Sequence, residues 1–327
     1  MSTWHYQKGL QDLGNGGIYA YLQPDGSWGW SNAGLICDGE QSLLVDTLFD
    51  LNLTRDMLDA MRSATRAAEN IGSLVNTHAN GDHCWGNQLV EGADIVASKA
   101  AAEEMAEVPP EMLAQMMAGA GAGAMGPLGD YILKVFGDFS FDDITATPPT
   151  TTFEGQLERR VGDKRVLLYE VGPAHTRGDV IVHVPDDRVV FTGDILFVEG
   201  HPIIWAGPVG NWIKACQRII DMDVEAVVPG HGPITDKAGV AEVKGYLEYI
   251  SAEARKRFDA GLPAAEAARD IALDDYSSWG DSERIVVNVS TLYREFAGDD
   301  AAADIVALFT EMSALAHERG LHGLGQG

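Results

Sequence analysis

The stretch Val75-Asn76-Thr77-His78-Ala79-Asn80-Gly81-Asp82-His83 directly follows an apolar, strand-like run and concentrates polar side chains within a few residues. Imidazole and carboxylate groups are the common protein ligands of first-row metals, and they must converge on one point from a rigid scaffold. Three further groups of this chemistry occur far downstream, at predicted strand ends: His175, Asp194 and His231. The pattern predicts a metal site assembled from four segments, with a metal-activated water as the first mechanistic hypothesis.

Four segments, in this order, resemble the signature segments of the metallo-β-lactamase superfamily: Thr77 to His83, Gly172 to Asp179, Phe191 to Asp194 and Pro229 to Pro233. One such segment would be a weak signal, but four in the right order at plausible spacings are a specific one. The resemblance spans residues 16 to 235. It implies an α+β fold, the αββα sandwich, in which two β-sheets hold metal between them and helices lie outside.

In that family, a His-x-His-x-Asp-His loop, a later histidine, a bridging aspartate and a last histidine hold two metals. Carried over to this chain, the resemblance implies these ligands: His78 and His175 for the first metal, Asp82, His83 and His231 for the second, and Asp194 as the bridge. Asp46 ends an apolar strand, where a carboxylate needs a partner. The resemblance implies that Asp46 orients the ligands from behind.

Asn80 departs from the family pattern, because it occupies the position of the second histidine of the motif. An amide oxygen is a poorer zinc ligand than imidazole, so we expect one tight zinc site and a weakened second site. Iron is the alternative metal for these ligands. Asn80 has two interpretations, a weak ligand or a hydrogen-bond donor to a water or substrate oxygen. We favour the donor, because an amide offers N–H groups that metal-bound imidazole lacks.

Three other residues are candidates for substrate binding. Trp28 and Trp30 lie in an early hairpin that the resemblance places over the active site. They predict either an aromatic flap for an apolar substrate or packing against the core. His201 follows Asp194 by seven residues, on the loop that leaves the metal-bearing turn, and either contacts substrate or packs within the loop.

The chain divides into four predicted regions. Residues 1–97 form the first half of the core, 98–149 a helical insert, 150–236 the second half, and 237–327 a helical C-terminal region. The insert is rich in methionine and contains a glycine-rich segment, Gly119 to Gly129, that predicts a flexible joint. We interpret the insert as a lid over an apolar pocket, and the alternative is a subunit contact in a homodimer.

The composition argues against several classes of protein. The chain of 327 residues has 49 acidic against 23 basic residues and a formal net charge of -26, which would repel nucleic-acid backbones. Three cysteines without a close pair argue against a disulfide framework. Met1 to Lys8 contains no apolar signal region, and no apolar run is long enough for a membrane span. We therefore expect a cytoplasmic protein, neither a membrane protein nor an exported β-lactamase.

The function that these observations favour is a metal-dependent hydrolase acting on a carbonyl group of a bulky apolar small molecule. Esters, thioesters, lactones and amides all remain open as substrates. Asp82 would orient the nucleophile, and Asn80 would help to stabilise the oxyanion. Three alternatives remain: an aromatic polyketide cyclase or cyclase-thioesterase, an iron-dependent redox enzyme, and a non-catalytic ligand-binding module.

Overall fold

Two β-sheets packed face to face form the centre of the protein, in a computed structural model that describes residues 5–14 and 16–320. Residues 1–4, which contribute to the expectation about export, and residues 321–327 of the predicted C-terminal region lie outside these described residues. The seven strands of the first sheet are, in spatial order, β1 (Gly9–Asp12), β2 (Ile18–Leu22), β3 (Ala33–Asp38), β4 (Gln41–Val45), β5 (Ser73–Val75), β6 (Asp94–Ser98) and β7 (Thr151–Phe153).

The second sheet has five strands. In chain order they are β8 (Gln156–Val161), β9 (Lys164–Glu170), β10 (Val180–Val184), β11 (Val189–Phe191) and β12 (Ala226–Val228). Neighbouring strands from β8 to β11 are antiparallel, whereas β12 runs parallel to β11. In the first sheet, β1 to β4 are antiparallel and β4 to β7 are parallel.

Side chains point alternately to the two faces along each strand, which explains why helices cover the outer faces of the two sheets. Val182 of β10 faces the core between the sheets, and its neighbour Ile181 faces the outer helices. In β4, Val45 faces the inter-sheet core and Leu44 faces outward, where it is also buried. A sheet that is apolar on both faces must be covered on both, so helices are required outside. The predicted αββα fold is confirmed.

Ten α-helices complete the described part of the chain: α1 (Leu51–Ala64), α2 (Gly81–Cys84), α3 (Lys99–Met105), α4 (Pro110–Gly121), α5 (Pro127–Phe136), α6 (Val209–Asp221), α7 (Lys237–Asp259), α8 (Ala264–Asp270), α9 (Ile285–Ala297) and α10 (Ile305–Glu318). Helix α1 begins after Asp50, whose carboxylate accepts the Leu53 N–H at 2.8 Å as an N-cap. It covers the first sheet through Met57 and Met61, and α6 covers the second through Trp212.

The insert consists of α3, α4 and α5, between the parallel strands β6 and β7. The expected joint from Gly119 to Gly129 is shorter than predicted, because α4 continues to Gly121 and α5 begins at Pro127. Helix α5 itself was not predicted. Its Phe136 packs against Phe309 of α10, with ring centroids 6.3 Å apart. The insert is therefore anchored on the C-terminal helices at this end.

Among the described helices, none combines the length and the apolar character that a membrane crossing requires.

Candidate metal centre

All the predicted ligands lie on segments that follow strand ends, either in loops or in short helical turns such as α2. Strands β4 and β5 are parallel, and β9 and β11 both run antiparallel to β10, so within each sheet the carboxyl ends of these strands lie at the same edge. The predicted residues follow the strands in this order: Asp46 after β4, His78, Asp82 and His83 after β5, His175 after β9, Asp194 after β11, and His231 after β12. Sequence-distant side chains thus meet because the topology brings the strand ends together.

Two groups of three ligands form. Nitrogen or oxygen atoms of Asp82, His83 and His231 lie within 4.8 Å of one another, and the same holds for His78, His175 and Asp194. In the first group, Asp82 Oδ2 lies 3.2 Å from His231 Nε2 and 3.7 Å from His83 Nε2. In the second group, Asp194 Oδ2 lies 3.3 Å from His175 Nε2 and 3.6 Å from His78 Nε2.

Asp194 connects the two groups. Its Oδ1 lies 3.1 Å from His83 Nε2, and its Oδ2 lies 3.5 Å from His231 Nε2. The four histidines are buried, whereas the Asp82 side chain keeps 13% of its exposure. Asn80 beside it is also partly exposed. The site therefore reaches solvent on the side of Asn80 and Asp82.

Asp46 and Thr77 set the orientation of two histidines. Asp46 accepts the Thr77 N–H and the Thr77 hydroxyl, both at 2.7 Å, and it lies 3.0 Å from Nδ1 of His83. Because a carboxylate can only accept, Nδ1 of His83 carries a proton. The Thr77 hydroxyl has donated to Asp46, so it accepts from Nδ1 of His78 at 2.9 Å. In their neutral forms, both histidines present a bare Nε2 to the site.

Backbone carbonyl groups orient the other two histidines, His175 and His231. Nδ1 of His175 lies 2.7 Å from the Ile203 oxygen, and Nδ1 of His231 lies 3.1 Å from the Gly26 oxygen. A carbonyl oxygen only accepts, so each Nδ1 donates and each Nε2 turns inward. In its neutral form, each of the four imidazoles is thus held in the tautomer that can ligate a metal.

The donor set fits a metal ion. In the described residues, His78 Nε2, His83 Nε2 and Asp194 Oδ1 are buried without a hydrogen-bond partner. Leaving a buried polar atom unpaired costs about 1–3 kcal/mol. Imidazole nitrogens and carboxylate oxygens at one point are the donors that zinc and iron accept. A divalent cation would satisfy these atoms together.

The pKa shifts of Asp194 and His231 also favour a cation in the site. Burial by itself would raise the pKa of Asp194, but His231, His83 and His78 outweigh it and hold that pKa well below its usual range. Burial by itself would lower the pKa of His231, but Asp194 and Asp82 raise it to about 9. The buried carboxylates therefore favour positive charge at their centre, and a cation would compete with protons for the imidazoles.

Asn80 contacts His175 directly. Its side-chain oxygen, as placed, lies 2.7 Å from Nε2 of His175. Burial lowers the pKa of His175 to about 3, so the ring is neutral, and its one proton is on the Nδ1 that faces Ile203. Nε2 can then only accept, and a hydrogen bond requires the amide nitrogen of Asn80 to face it. The two ends of an amide are nearly isosteric, so we assign the turned amide.

For two of the three candidate substrate contacts, the structure favours the packing interpretation. Trp28 is buried between Phe136 and Phe309 with ring centroids at 6.0 and 5.7 Å, so it packs in the core and forms no flap. His201 is fully buried against Tyr246, at 5.1 Å, and its backbone carbonyl accepts from Arg284. Both positions result from contacts with distant C-terminal residues.

Trp30 stays near the opening. It is partly exposed, its ring centroid lies 4.8 Å from that of Phe139, and the next residue, Ser31, donates its hydroxyl to the Asp82 carbonyl at 2.5 Å. Trp205, which the sequence reasoning missed, is also partly exposed. Its backbone N–H donates to the His175 carbonyl at 3.1 Å, so it adjoins the site. No spacing or motif marks Trp205 in the sequence.

Two supporting residues were also missed. Asn32 donates its amide to the carbonyls of Pro229 and Gly232, at 3.0 and 2.8 Å, and so fixes the loop that carries His231. Thr77 links Asp46 to His78, as described above. A signal for Thr77 was available, because it directly precedes the first motif histidine. Asn32 lies about 200 residues from the loop that it holds, and nothing local identifies it.

The chain belongs to the metallo-beta-lactamase superfamily, whose family profile matches residues 26–231. A stretch of 94 residues is 28% identical to acyl-coenzyme A thioesterase MBLAC2 of Bos taurus and of Homo sapiens, over 27% of this chain and 33% of each relative. The matched stretch thus spans a third of these relatives. A stretch of 87 residues is 30% identical to a beta-lactamase-like protein 2 homolog of Caenorhabditis elegans, over 27% of this chain and 28% of the relative.

Solved structures share the fold. The metallo-beta-lactamase TMB-1 matches with a TM-score of 0.52 and 20% identity, over 74% of this chain and 98% of its own. The sec-alkylsulfatase Pisa1 from Pseudomonas sp. matches with a TM-score of 0.62 and 15% identity, over 98% of this chain and 55% of its own. At 20% identity or less, these likenesses show a shared fold.

Proposed function

We propose that this protein is a metal-dependent hydrolase that cleaves the thioester or ester carbonyl of a bulky apolar acyl compound. The observation that carries the proposal is the pair of ligand groups joined by Asp194, with inward-facing nitrogens and an opening on the side of Asp82. Buried imidazoles fixed in one tautomer, with a carboxylate beside solvent, form a hydrolytic arrangement rather than a structural one. A purely structural site would be closed by its ligands.

The group formed by Asp82, His83 and His231 would hold one zinc ion tightly. When bound, such an ion supplies Lewis-acid chemistry, which polarises a carbonyl oxygen and makes water more acidic. The group formed by His78, His175 and Asp194 would hold a second ion weakly, because the Asn80 amide already occupies the lone pair of the His175 ring. Iron is the alternative occupant, and metal content distinguishes the two.

The chain's own polar groups would orient the reaction. Asp82 is the carboxylate nearest the opening, so it is placed to hold an attacking water and to accept its proton. One N–H of Asn80 bonds to His175, which leaves its second N–H for the carbonyl oxygen of the substrate. Asp46 and Thr77 would keep His83 and His78 aligned throughout turnover.

Apolar walls near the opening support a bulky acyl group. Trp30 and Trp205 are both partly exposed and adjoin metal-loop residues. Met116 and Met117 of the insert are partly buried against the hydrophobic cluster on which Trp30 and Trp205 also pack. Methionine side chains adapt to irregular apolar ligands. The printed name of the MBLAC2 relatives, acyl-coenzyme A thioesterase, favours a thioester over an amide.

The test is release of free thiol from acyl-coenzyme A by zinc-loaded protein, with palmitoyl and acetyl thioesters and a p-nitrophenyl ester compared. We expect the palmitoyl thioester to be preferred, and Asp82→Asn to lower turnover per bound zinc at least about 100-fold, as expected for loss of a general base. Asp59→Asn removes the same charge from the exposed face of α1 and is the matched control.

Three outcomes would distinguish the proposed activity from its alternatives. Cleavage of the ester alone would remove the thioester from the proposal but keep the hydrolase. No cleavage of any compound by protein that holds its metal would contradict the proposed function and favour a binding module. Ring closure of a polyketide-like thioester, without incorporation of oxygen from labelled water, would favour the cyclase alternative.

A further inference from the structure

A surface cavity of about 490 Å³ lies between α6 and the outer face of the second sheet. Tyr169 of β9, His183 of β10, and Lys214 and Arg218 of α6 line it. None of its lining residues belongs to the metal centre. The candidate ligands lie in segments beyond the strand ends, whereas His183 lies within β10 and pairs with Leu167 and Val190.

His183 gives this cavity an unmet polar requirement. Its neighbours Val182 and Val184 face the core between the sheets, so His183 faces the opposite side, under α6. The side chain is only 9% exposed, and within the described residues neither ring nitrogen has a hydrogen-bond partner. Valine or isoleucine would satisfy this strand position without that cost. An unpaired imidazole in a cavity wall indicates a partner that enters from outside.

Two basic side chains face the same space. Lys214 and Arg218 are four residues apart on α6 and therefore share one face of the helix. Neither forms an ion pair in the part of the chain that the structure describes. That is unexpected here, because acidic residues outnumber basic ones by 49 to 23, and other arginines, such as Arg269, bind carboxylates. The cavity is a local excess of positive charge on an acidic protein.

The ring of Tyr169 stacks against the guanidinium group of Arg218 and holds it in place. The guanidinium carbon lies 4.0 Å from the ring centroid, which places the cation over the aromatic face. A stacked guanidinium keeps its N–H edge free for a carboxylate or a phosphate, the acceptors that match its planar fork. The one acidic group in the lining, Asp221, already accepts a hydrogen bond from Gln217 at 2.9 Å.

We propose that this cavity is a second binding site, separate from the metal centre, for a small organic anion with an apolar or aromatic body. Lys214 and Arg218 bind its carboxylate or phosphate group, Tyr169 contacts the body, and His183 supplies a ring N–H. The volume lies in the range of small-molecule sites, about 300–1,000 Å³. A carboxylate and a phosphate share this oxyanion chemistry, and the binding experiment separates them.

Phenyl phosphate, benzoate and neutral benzyl alcohol are the probes, titrated calorimetrically into the full chain carrying its metal. We expect at least one anion to bind and benzyl alcohol to bind at least about tenfold more weakly, because only the anions use charge-assisted hydrogen bonds. Arg218→Gln should weaken the anion about tenfold or more. Arg62→Gln, which removes one charge from α1 on the opposite side of the sandwich, should leave the affinity unchanged.

Two measurements keep the result specific. Lys214→Gln replaces an exposed side chain and tests the same site if Arg218→Gln does not fold. The ring resonances of His183 should shift on binding in the wild type but not in Arg218→Gln at the same anion concentration. Equal affinity of the wild type, Arg218→Gln and Lys214→Gln would place the anion elsewhere, including at the metal, and would overturn the proposal. Equal binding of benzyl alcohol, or no binding of either anion, would also overturn it.

Discussion

Asp46→Asn tests how the protein holds its ligands. In the native site, Asp46 only accepts, from the Thr77 N–H, the Thr77 hydroxyl and Nδ1 of His83. Asparagine can keep the first bond through its oxygen, but its NH2 group then faces the other two partners. Nδ1 of His83 would have to accept, so its proton moves to the Nε2 that faces the metal site. The Thr77 hydroxyl would no longer donate to residue 46 and could donate to Nδ1 of His78 instead. The proton of His78 would then also move to its Nε2.

The size of the effect follows from that switch. Restoring the ligating tautomer of His83 would place an N–H against an N–H and lose a hydrogen bond to a charged group, worth about 1.5–3 kcal/mol. This corresponds to zinc affinity weakened about 10- to 100-fold, the range found for partners behind a metal-binding histidine. Backbone strain contributes little, because the φ angle of Asp46 is 62° and asparagine tolerates that region.

The assay is competition of a chelating dye for zinc, with ring nitrogen NMR to read the tautomers. Asp50→Asn is the matched control: Asp50 is buried and accepts the N–H groups of Leu53 and Ser140, but no histidine. We expect its zinc affinity to equal that of the wild type. Affinity of Asp46→Asn within twofold of the wild type, or a proton still on Nδ1 of His83, would refute the reasoning.

Three further predictions follow from the site and its surroundings. Asn80→His should free the His175 lone pair and supply a third nitrogen, so calorimetry should detect a second tight zinc equivalent; an unchanged stoichiometry would contradict this. Deleting Gly123 and Ala124 from the turn between α4 and α5 should raise KM for palmitoyl-coenzyme A more than for a small activated ester; equal losses would mean that the insert is structural. Burial lowers the pKa of His201 to about 3, so only the unfolded chain takes up this proton below about pH 6.5, and the wild type should lose stability as pH falls from there toward 3. His201→Gln should flatten that slope in denaturant titrations at pH 7 and 5, and equal slopes would be the opposing result.

The sequence was most informative where local pattern and tertiary structure agree. Apolar positions at the helical period predict a helix over residues 209–221, and α6 has these bounds and packs on the second sheet. Short apolar runs at residues 70–76, 93–97, 179–184 and 225–229 predict strands, and β5, β6, β10 and β12 overlap these ranges. Helix α5 was missed, because the glycine-rich segment from Gly119 to Gly129 indicated a joint, whereas α5 begins within it at Pro127. Proline at the first position of a helix is in fact favourable.

For the candidate site, the sequence indicated which side chains the structure brings together, but not their surroundings. Motif histidines and aspartates were visible because each follows a strand, and topology alone brings strand ends together. The sequence left Trp28 and His201 with two interpretations each, because their environment comes from Phe309 and Tyr246, whose separation along the chain leaves no local signal. The Asn80 contact with His175 depends in the same way on two loops meeting.

Metal analysis of protein purified without added metal is the most direct test of the central claim, that Asp82, His83 and His231 form one tight site. After dialysis, the wild type should retain close to one equivalent of zinc, and His231→Ala should retain almost none, because it removes a ligand of that site. His175→Ala should keep its one equivalent, since the Asn80 amide already occupies that ring nitrogen. Iron in place of zinc would contradict the assignment of the metal. A full equivalent in His231→Ala would contradict the assignment of the site.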